Sequence, residues 1–108
     1  MADLTLQLKD DDVNLSNLQP QTLFGIMVAQ SVYDLYQTPL VITSANDSKH
    51  STTSLHYSGN AVDIRTFNLP VGVDPEDVAS RIKQALGRHF DVLFEGDHIH
   101  IEWQPRIA

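Results

Sequence analysis

The segment 98–103 brings two histidines and a glutamate to one side of the chain if it forms a β-strand. It reads His-Ile-His-Ile-Glu-Trp. Side chains alternate between the two faces of a strand, so we expect His98, His100 and Glu102 on one face and the apolar residues against the core. Two imidazoles on one face can approach a single metal ion or a single substrate. The structural alternative is a polar strand face turned to solvent.

A second group of chemically capable residues lies between positions 54 and 63. This segment reads Ser-Leu-His-Tyr-Ser-Gly-Asn-Ala-Val-Asp, with His56 before a turn at Gly59. Asp63 falls in a short strand between two apolar neighbours, where an ionised carboxylate is costly unless it is paired or bound to a cation. The structural alternative is pairing with Arg65, two residues further along the same face, or with backbone N–H groups.

Together the two segments offer two imidazoles and one carboxylate, from His56, Asp63 and His100. Three such ligands with a fourth position left for water are the composition of a catalytic zinc site. A zinc-bound water becomes a nucleophile near neutral pH, and a nearby carboxylate must then accept its proton and return it to the leaving amine. Asp97 is the first candidate for that role and Glu95 the second. The same ligands also suit a non-haem iron site, which we rank below zinc.

The helices that must position these residues are predicted from the spacing of apolar side chains. A helix over 20–36 begins with Pro20 in the first position. Its apolar stripe is expected to form part of the core and comprises Leu23, Phe24, Ile26, Met27, Val32, Leu35 and Tyr36. A second helix is predicted after the N-cap candidate Asp74, with Pro75 in its first position and Gly87 at its end.

Alternating and β-branched segments predict five strands, at 4–8, 40–43, 60–66, 90–94 and 99–103. The first is expected to be half-buried. The last two flank a tight turn of Glu-Gly-Asp at 95–97 and are expected to form a hairpin. The polar segment 45–54 predicts a long loop. The order of these elements predicts an α+β fold with a small, mainly antiparallel sheet and two main helices.

Composition excludes several classes of protein. A chain of 108 residues with 42% apolar residues predicts a single domain over 1–108. The absence of cysteine rules out disulfides, thiolate zinc sites and a cysteine nucleophile. Seven basic against fourteen acidic residues argue against a nucleic-acid or anionic-membrane partner. No apolar run approaches the length of a membrane span, and the first residues do not resemble a signal peptide.

Two motifs resemble those of the zinc D-alanyl-D-alanine carboxypeptidase family. They are Ser-x-His-x-x-Gly-x-Ala-x-Asp at 54–63 and Asp-x-x-His at 97–100. That family includes the L-alanyl-D-glutamate endopeptidases of phage lysins, and its fold is shared with the Hedgehog signalling domain. The resemblance extends from about Val41 to Trp103, and the predicted order of elements is also similar.

The resemblance implies a role for each motif residue. It implies zinc ligands at His56, Asp63 and His100, and it implies Asp97 as the catalytic base and acid. His98 matches a second imidazole found in some members, close to where negative charge develops during hydrolysis.

The residues around the ligands differ in part from the family pattern. Ser54 is expected to form hydrogen bonds around the ligand shell, and Tyr57 to line the substrate cleft or simply to pack. Family members usually carry an arginine after the strand that matches 40–43, whereas this chain reads Ser-Ala-Asn-Asp from position 44. The candidates to supply that positive charge instead are Lys49, His50 and Arg65.

The function implied by the resemblance is hydrolysis of a peptide bond in bacterial peptidoglycan stem peptides or crosslinks, by a phage- or prophage-encoded enzyme. We expect synthesis in the cytoplasm without a signal peptide, followed by action in the cell wall or periplasm after release, or from a virion. The alternative is a non-enzymatic, zinc-stabilised binding or structural module of the same fold, which the missing arginine favours.

Overall fold

The computed structural model describes residues 6–16, 18–45 and 60–105. Within these ranges the chain forms an α+β structure of two helices and five strands, and neither helix is long and apolar enough to cross a membrane. In chain order the elements are β1 Gln7–Leu8, α1 Pro20–Leu35, β2 Val41–Ser44, β3 Ala61–Arg65, α2 Pro75–Leu86, β4 Phe90–Phe94 and β5 His98–Trp103.

The strands form one mixed sheet with the order β1-β2-β3-β5-β4. The short β1 runs parallel to β2, a pairing that the sequence did not predict. The pairs β2–β3, β3–β5 and β5–β4 are antiparallel. Because β5 lies between β3 and β4, residues that are far apart in the sequence become neighbours at the centre of the sheet.

The helices pack against one face of this sheet, α1 against β3 and β5 and α2 against β4. Ile64, Ile99 and Ile101 point into that core and are almost fully buried. The phenol of Tyr33 on α1 donates a hydrogen bond of 2.6 Å to the carbonyl of Arg65 and ties the helix to β3. The predicted alternation along β5 is therefore confirmed, and the polar residues of β3 and β5 lie on the opposite face.

Local signals in the second half of the chain are confirmed by the structure. The side chain of Asp74 accepts a hydrogen bond of 2.9 Å from the backbone N–H of Glu76 at the start of α2. Gly87 ends that helix with φ at 88°. Gly96 has φ at 84° in the turn of the β4–β5 hairpin, a conformation that glycine adopts without strain.

The predicted core stripe of α1 is partly wrong. Ile26 and Val32 are buried, but Leu23, Phe24, Met27 and Leu35 are exposed. The residues of α1 that are buried against the core are Thr22, Gly25, Ile26, Ala29, Val32 and Tyr33. A Cβ atom on Gly25 would come within 3.3 Å of Phe90, so the helix approaches the sheet where side chains are small. Because α1 is apolar on nearly all sides, spacing alone could not identify its buried face.

The prediction for the first strand is also only partly correct. Of the predicted segment 4–8, residues 4 and 5 lie outside the described part of the chain, and the strand contains Gln7 and Leu8. Both residues are exposed rather than half-buried, because β1 is a two-residue edge strand with a neighbour on one side only.

The orientation of α1 predicts opposite outcomes for two adjacent substitutions. Ile26 is 3% exposed, and we expect Ile26→Ala to lower the free energy of unfolding by about 2–5 kcal/mol. Met27 is 65% exposed, and we expect Met27→Ala to change it by less than about 0.5 kcal/mol. Urea unfolding followed by circular dichroism measures both, with Ile26→Val as a milder variant. Equal losses at positions 26 and 27 would contradict the assigned face.

Candidate functional site

The pairing of β3 with β5 places Asp63 directly opposite His100. Side chains opposed in this way have Cβ atoms about 4.5–5.5 Å apart, so that a short carboxylate reaches an imidazole. Asp63 Oδ1 lies 2.8 Å from His100 Nδ1, and each side chain is only 15% exposed. Two of the three predicted metal ligands therefore meet, although 37 positions separate them in the sequence.

The other ring nitrogen of His100 contacts Glu102. The distance from Nε2 to Glu102 Oε1 is 2.8 Å, and the glutamate side chain is 16% exposed. Sequence reasoning placed Glu102 on the correct face but assigned it no role. The signal that could have found it is the two-residue spacing, which puts successive residues of one strand face next to each other.

The two carboxylates change the protonation of His100. Burial by itself lowers the pKa of the ring, but the hydrogen bonds to Asp63 and Glu102 and the charges of both acids outweigh that effect. The net result raises the pKa of His100 to about 9. At neutral pH the metal-free ring is therefore protonated on both nitrogens and donates one hydrogen bond to each carboxylate.

His98 lies one position closer to the hairpin turn on the same face. Its Nδ1 is 2.8 Å from Asp97 Oδ1, and its Nε2 is 3.4 Å from Glu95 Oε1 and 3.8 Å from Asp63 Oδ1. Burial lowers the pKa of His98, but the hydrogen bond to Asp97 and the charges of Asp63, Asp97 and Glu95 raise it above its ordinary value. His98 thus lies between the acids of the turn and the Asp63–His100 pair.

The two candidate acid–base residues, Asp97 and Glu95, both contact His98. Asp97 faces Nδ1 and is 86% exposed, whereas Glu95 faces Nε2 and is about half exposed. The exposed position of Asp97 suits exchange of a proton with a substrate. Glu95 lies on the Nε2 side of the ring, which also faces Asp63. Both residues remain candidates for the acid–base role.

Arg65, one of the candidates for the positive charge, lies at the hairpin end of the site. In the β3–β5 register it stands directly opposite His98. Its guanidinium carbon is 4.4 Å from the centroid of the exposed Phe67 ring, at a distance typical of a cation–π contact. Within the described part of the chain, its Nε atom is buried without a hydrogen-bond partner.

Five predicted site residues lie outside the described ranges, namely the ligand His56 and the surrounding Lys49, His50, Ser54 and Tyr57. Within 6–16, 18–45 and 60–105, no three histidine, aspartate or glutamate side chains form a group that could hold a metal ion. The described part of the chain thus contains two of the three predicted ligands, Asp63 and His100, and the third predicted ligand, His56, lies outside it.

The donor atoms of Asp63 and His100 fit a shared zinc ion. Two ligand atoms on a tetrahedral zinc lie about 3.3 Å apart, whereas Oδ1 and Nδ1 are 2.8 Å apart and hydrogen-bonded. For zinc to take the place of the proton between them, the two atoms would have to move apart by about half an ångström. The contact between Nε2 and Glu102 is also typical, since metal-bound histidines usually donate their second N–H to a carboxylate.

Comparisons with known proteins do not assign this chain to a family. No model of a protein family matches the chain, and no curated protein sequence matches it either. The resemblance seen in the two motifs therefore remains a proposal, which depends on the motif residues and on the geometry around Asp63 and His100.

The raised pKa of His100 predicts how the stability of the metal-free protein depends on pH. The pKa of His100 is about 9 in the folded state and 6.5 in the unfolded state, so protonation of the ring stabilises the fold. This contribution to the free energy of unfolding is present in full below pH 6.5. That contribution is lost as pH rises toward 9, and we expect it to be at most about 3 kcal/mol. Urea unfolding in the presence of a chelator at pH 6, 7.5 and 9 measures the decline.

The variant His100→Gln serves as the control for this decline. It removes the titrating ring, so its free energy of unfolding should fall less steeply between pH 6.5 and 9 than that of the wild type. The decline that is left comes from His98, whose pKa is shifted in the same direction. A wild-type stability that is constant or rises over this interval would contradict the ion-paired state of His100.

Proposed function

We propose that this chain is a zinc-dependent hydrolase that cleaves a peptide bond in peptidoglycan stem peptides or crosslinks, on a fold of the Hedgehog/DD-peptidase type. The observation that carries the proposal is the 2.8 Å contact between Asp63 and His100. Each residue is the last of one of the two motifs that resemble the zinc carboxypeptidase family. Their contact on a polar sheet face gives the motif spacing a physical reason.

Zinc would be held by His56, Asp63 and His100. When bound, the metal supplies a Lewis acid that polarises a carbonyl group and lowers the pKa of a water molecule. For this His100 must lose the proton on Nδ1 and keep the proton on Nε2, where Glu102 accepts it. Metal binding therefore releases a proton from the ring and becomes tighter as pH rises toward 9.

The remaining polar residues are arranged for the charges that peptide hydrolysis develops. Asp97, open to solvent in the hairpin turn, accepts a proton and returns it to the leaving amine, with Glu95 as the alternative. His98 has a raised pKa and is available as a cation beside the negative charge that develops on the carbonyl oxygen. Arg65 provides a further cation at the same end of the site, suited to a carboxylate of the stem peptide.

Metal content and hydrolysis of purified sacculi test this proposal together. We expect the wild-type protein to bind about one zinc ion and to release peptide fragments, identified by mass spectrometry. Asp63→Ala should lose the metal and the activity. Asp97→Ala should keep the metal and lose hydrolysis by about 10²–10⁴-fold, because a general acid–base residue contributes on that scale.

Glu95→Ala is the matched variant for Asp97→Ala, since it removes the other carboxylate that contacts His98. If Glu95→Ala loses hydrolysis and Asp97→Ala keeps it, the acid–base roles are reversed. Full activity of both variants would remove these acids from the mechanism. If chelation changes neither the melting temperature nor the activity, the zinc proposal is wrong.

A second candidate function is a zinc-stabilised module without enzymatic activity. The feature that favours it is the sequence Ser-Ala-Asn-Asp at 44–47, which lacks the arginine usual at this place in the family. A protein that holds one zinc ion, is stabilised by it and releases no fragments from sacculi would support this candidate over the hydrolase.

A further inference from the structure

We infer that Glu102 is a positioning residue that directs the metal-binding nitrogen of His100 toward Asp63. This inference rests on the zinc site proposed above and assigns a role to a carboxylate that belongs to neither motif. Glu102 follows His100 by two residues on β5 and shares its face. Its Oε1 atom contacts Nε2 of the ring, and both side chains are mostly buried.

The orientation matters because a neutral imidazole carries only one N–H. A metal ligand needs the other nitrogen as a lone-pair donor, and the position of the proton decides which nitrogen that is. Asp63 contacts Nδ1 and Glu102 contacts Nε2, each at 2.8 Å. The two carboxylates therefore compete for the same proton.

Without Glu102, Asp63 has no competitor among the carboxylates that contact the ring of His100 in the described part of the chain. The proton of a neutral His100 would then lie on Nδ1, hydrogen-bonded to Asp63, and the nitrogen that faces the predicted metal position would be blocked. With Glu102 in place, a proton on Nε2 also has an acceptor, so a share of the neutral rings leaves the lone pair of Nδ1 toward Asp63. Glu102 thereby favours the tautomer that binds metal.

Glu102 is itself held in position from the end of β5. The side-chain amide of Gln104 donates a hydrogen bond to Oε2 of Glu102. The backbone N–H of Gln104 donates a bond of 2.7 Å to the carbonyl of His89, which anchors this residue beside the start of β4. Both oxygens of Glu102 are therefore engaged, which restricts rotation of the carboxylate.

The test compares the zinc affinity of Glu102→Ala, Glu102→Gln and wild-type protein. We expect Glu102→Ala to bind zinc about 10–100-fold more weakly, the usual effect of removing such a partner. Glu102→Gln should lose less, because its amide oxygen still accepts a hydrogen bond from Nε2–H. Competition with a chromophoric chelator measures the dissociation constants, and circular dichroism verifies that each variant is folded.

Asp91→Ala is the matched control for the loss of a negative charge. Asp91 lies on β4 directly opposite Glu102, on the same sheet face, whereas both nitrogens of His100 are engaged by Asp63 and Glu102. We expect its zinc affinity to stay within about twofold of wild type, because Asp91 is not one of the two carboxylates that hold the ring nitrogens of His100. Equal weakening by Asp91→Ala and Glu102→Ala would overturn the positioning role and attribute the effect to net charge.

A second measurement separates this inference from the proposed function. Nitrogen-15 NMR of the histidines in metal-free protein, recorded at an alkaline pH where the spectrum shows the ring of His100 to be neutral, reports which nitrogen carries the proton. We expect a larger share of Nε2–H in the wild type than in Glu102→Ala, where the proton should shift toward Nδ1. An unchanged tautomer overturns the inference even if zinc binds. A wild-type protein without zinc affinity overturns the proposed function, while the tautomer shift would still support the positioning role.

Discussion

The register between β3 and β5 is the constraint on which the candidate site depends. Val62 and Ile64 on β3 stand opposite Ile101 and Ile99 on β5, and all four must face the helices to leave water. A slip of one residue would turn one strand's polar side chains into the core. Hydrophobic burial on one face therefore aligns Asp63 with His100 on the other, so the packing of the core determines the contact at the site.

The polar face gathers more negative than positive charge, and this explains why the pKa values of its two histidines are raised. The carboxylates of Asp63 and Glu102 contact the two ring nitrogens of His100. Those of Asp97 and Glu95 contact the two ring nitrogens of His98. Protonated imidazoles relieve the repulsion between these acids in the metal-free protein. A divalent ion between Asp63 and His100 would do so with two positive charges, in a chain whose formal net charge is −7. In the zinc site that we propose, a proton and a metal ion would compete for one position.

The parts of the fold that sequence analysis predicted well have local causes. Asp74, Gly87 and Gly96 each determine a helix end or a turn through their own backbone or side-chain chemistry, and the structure contains all three features where expected. The outward face of α1 was mispredicted because Leu23 and Met27 are as apolar as the residues that pack on the sheet. Which side of an apolar helix is buried depends on the shape of the surface that it meets, and that surface comes from other elements.

The same division applies to the site. The two-residue period of a strand was enough to place His98, His100 and Glu102 on one face, opposite the buried isoleucines. Which carboxylate faces which nitrogen depends on how β3 aligns with β5 across the sheet, and α2 and β4 separate these strands in the sequence. That alignment is a long-range property, because it follows from packing the whole core. The sequence alone therefore determined the side-chain types and the face that they share, while the tertiary structure decided their contacts.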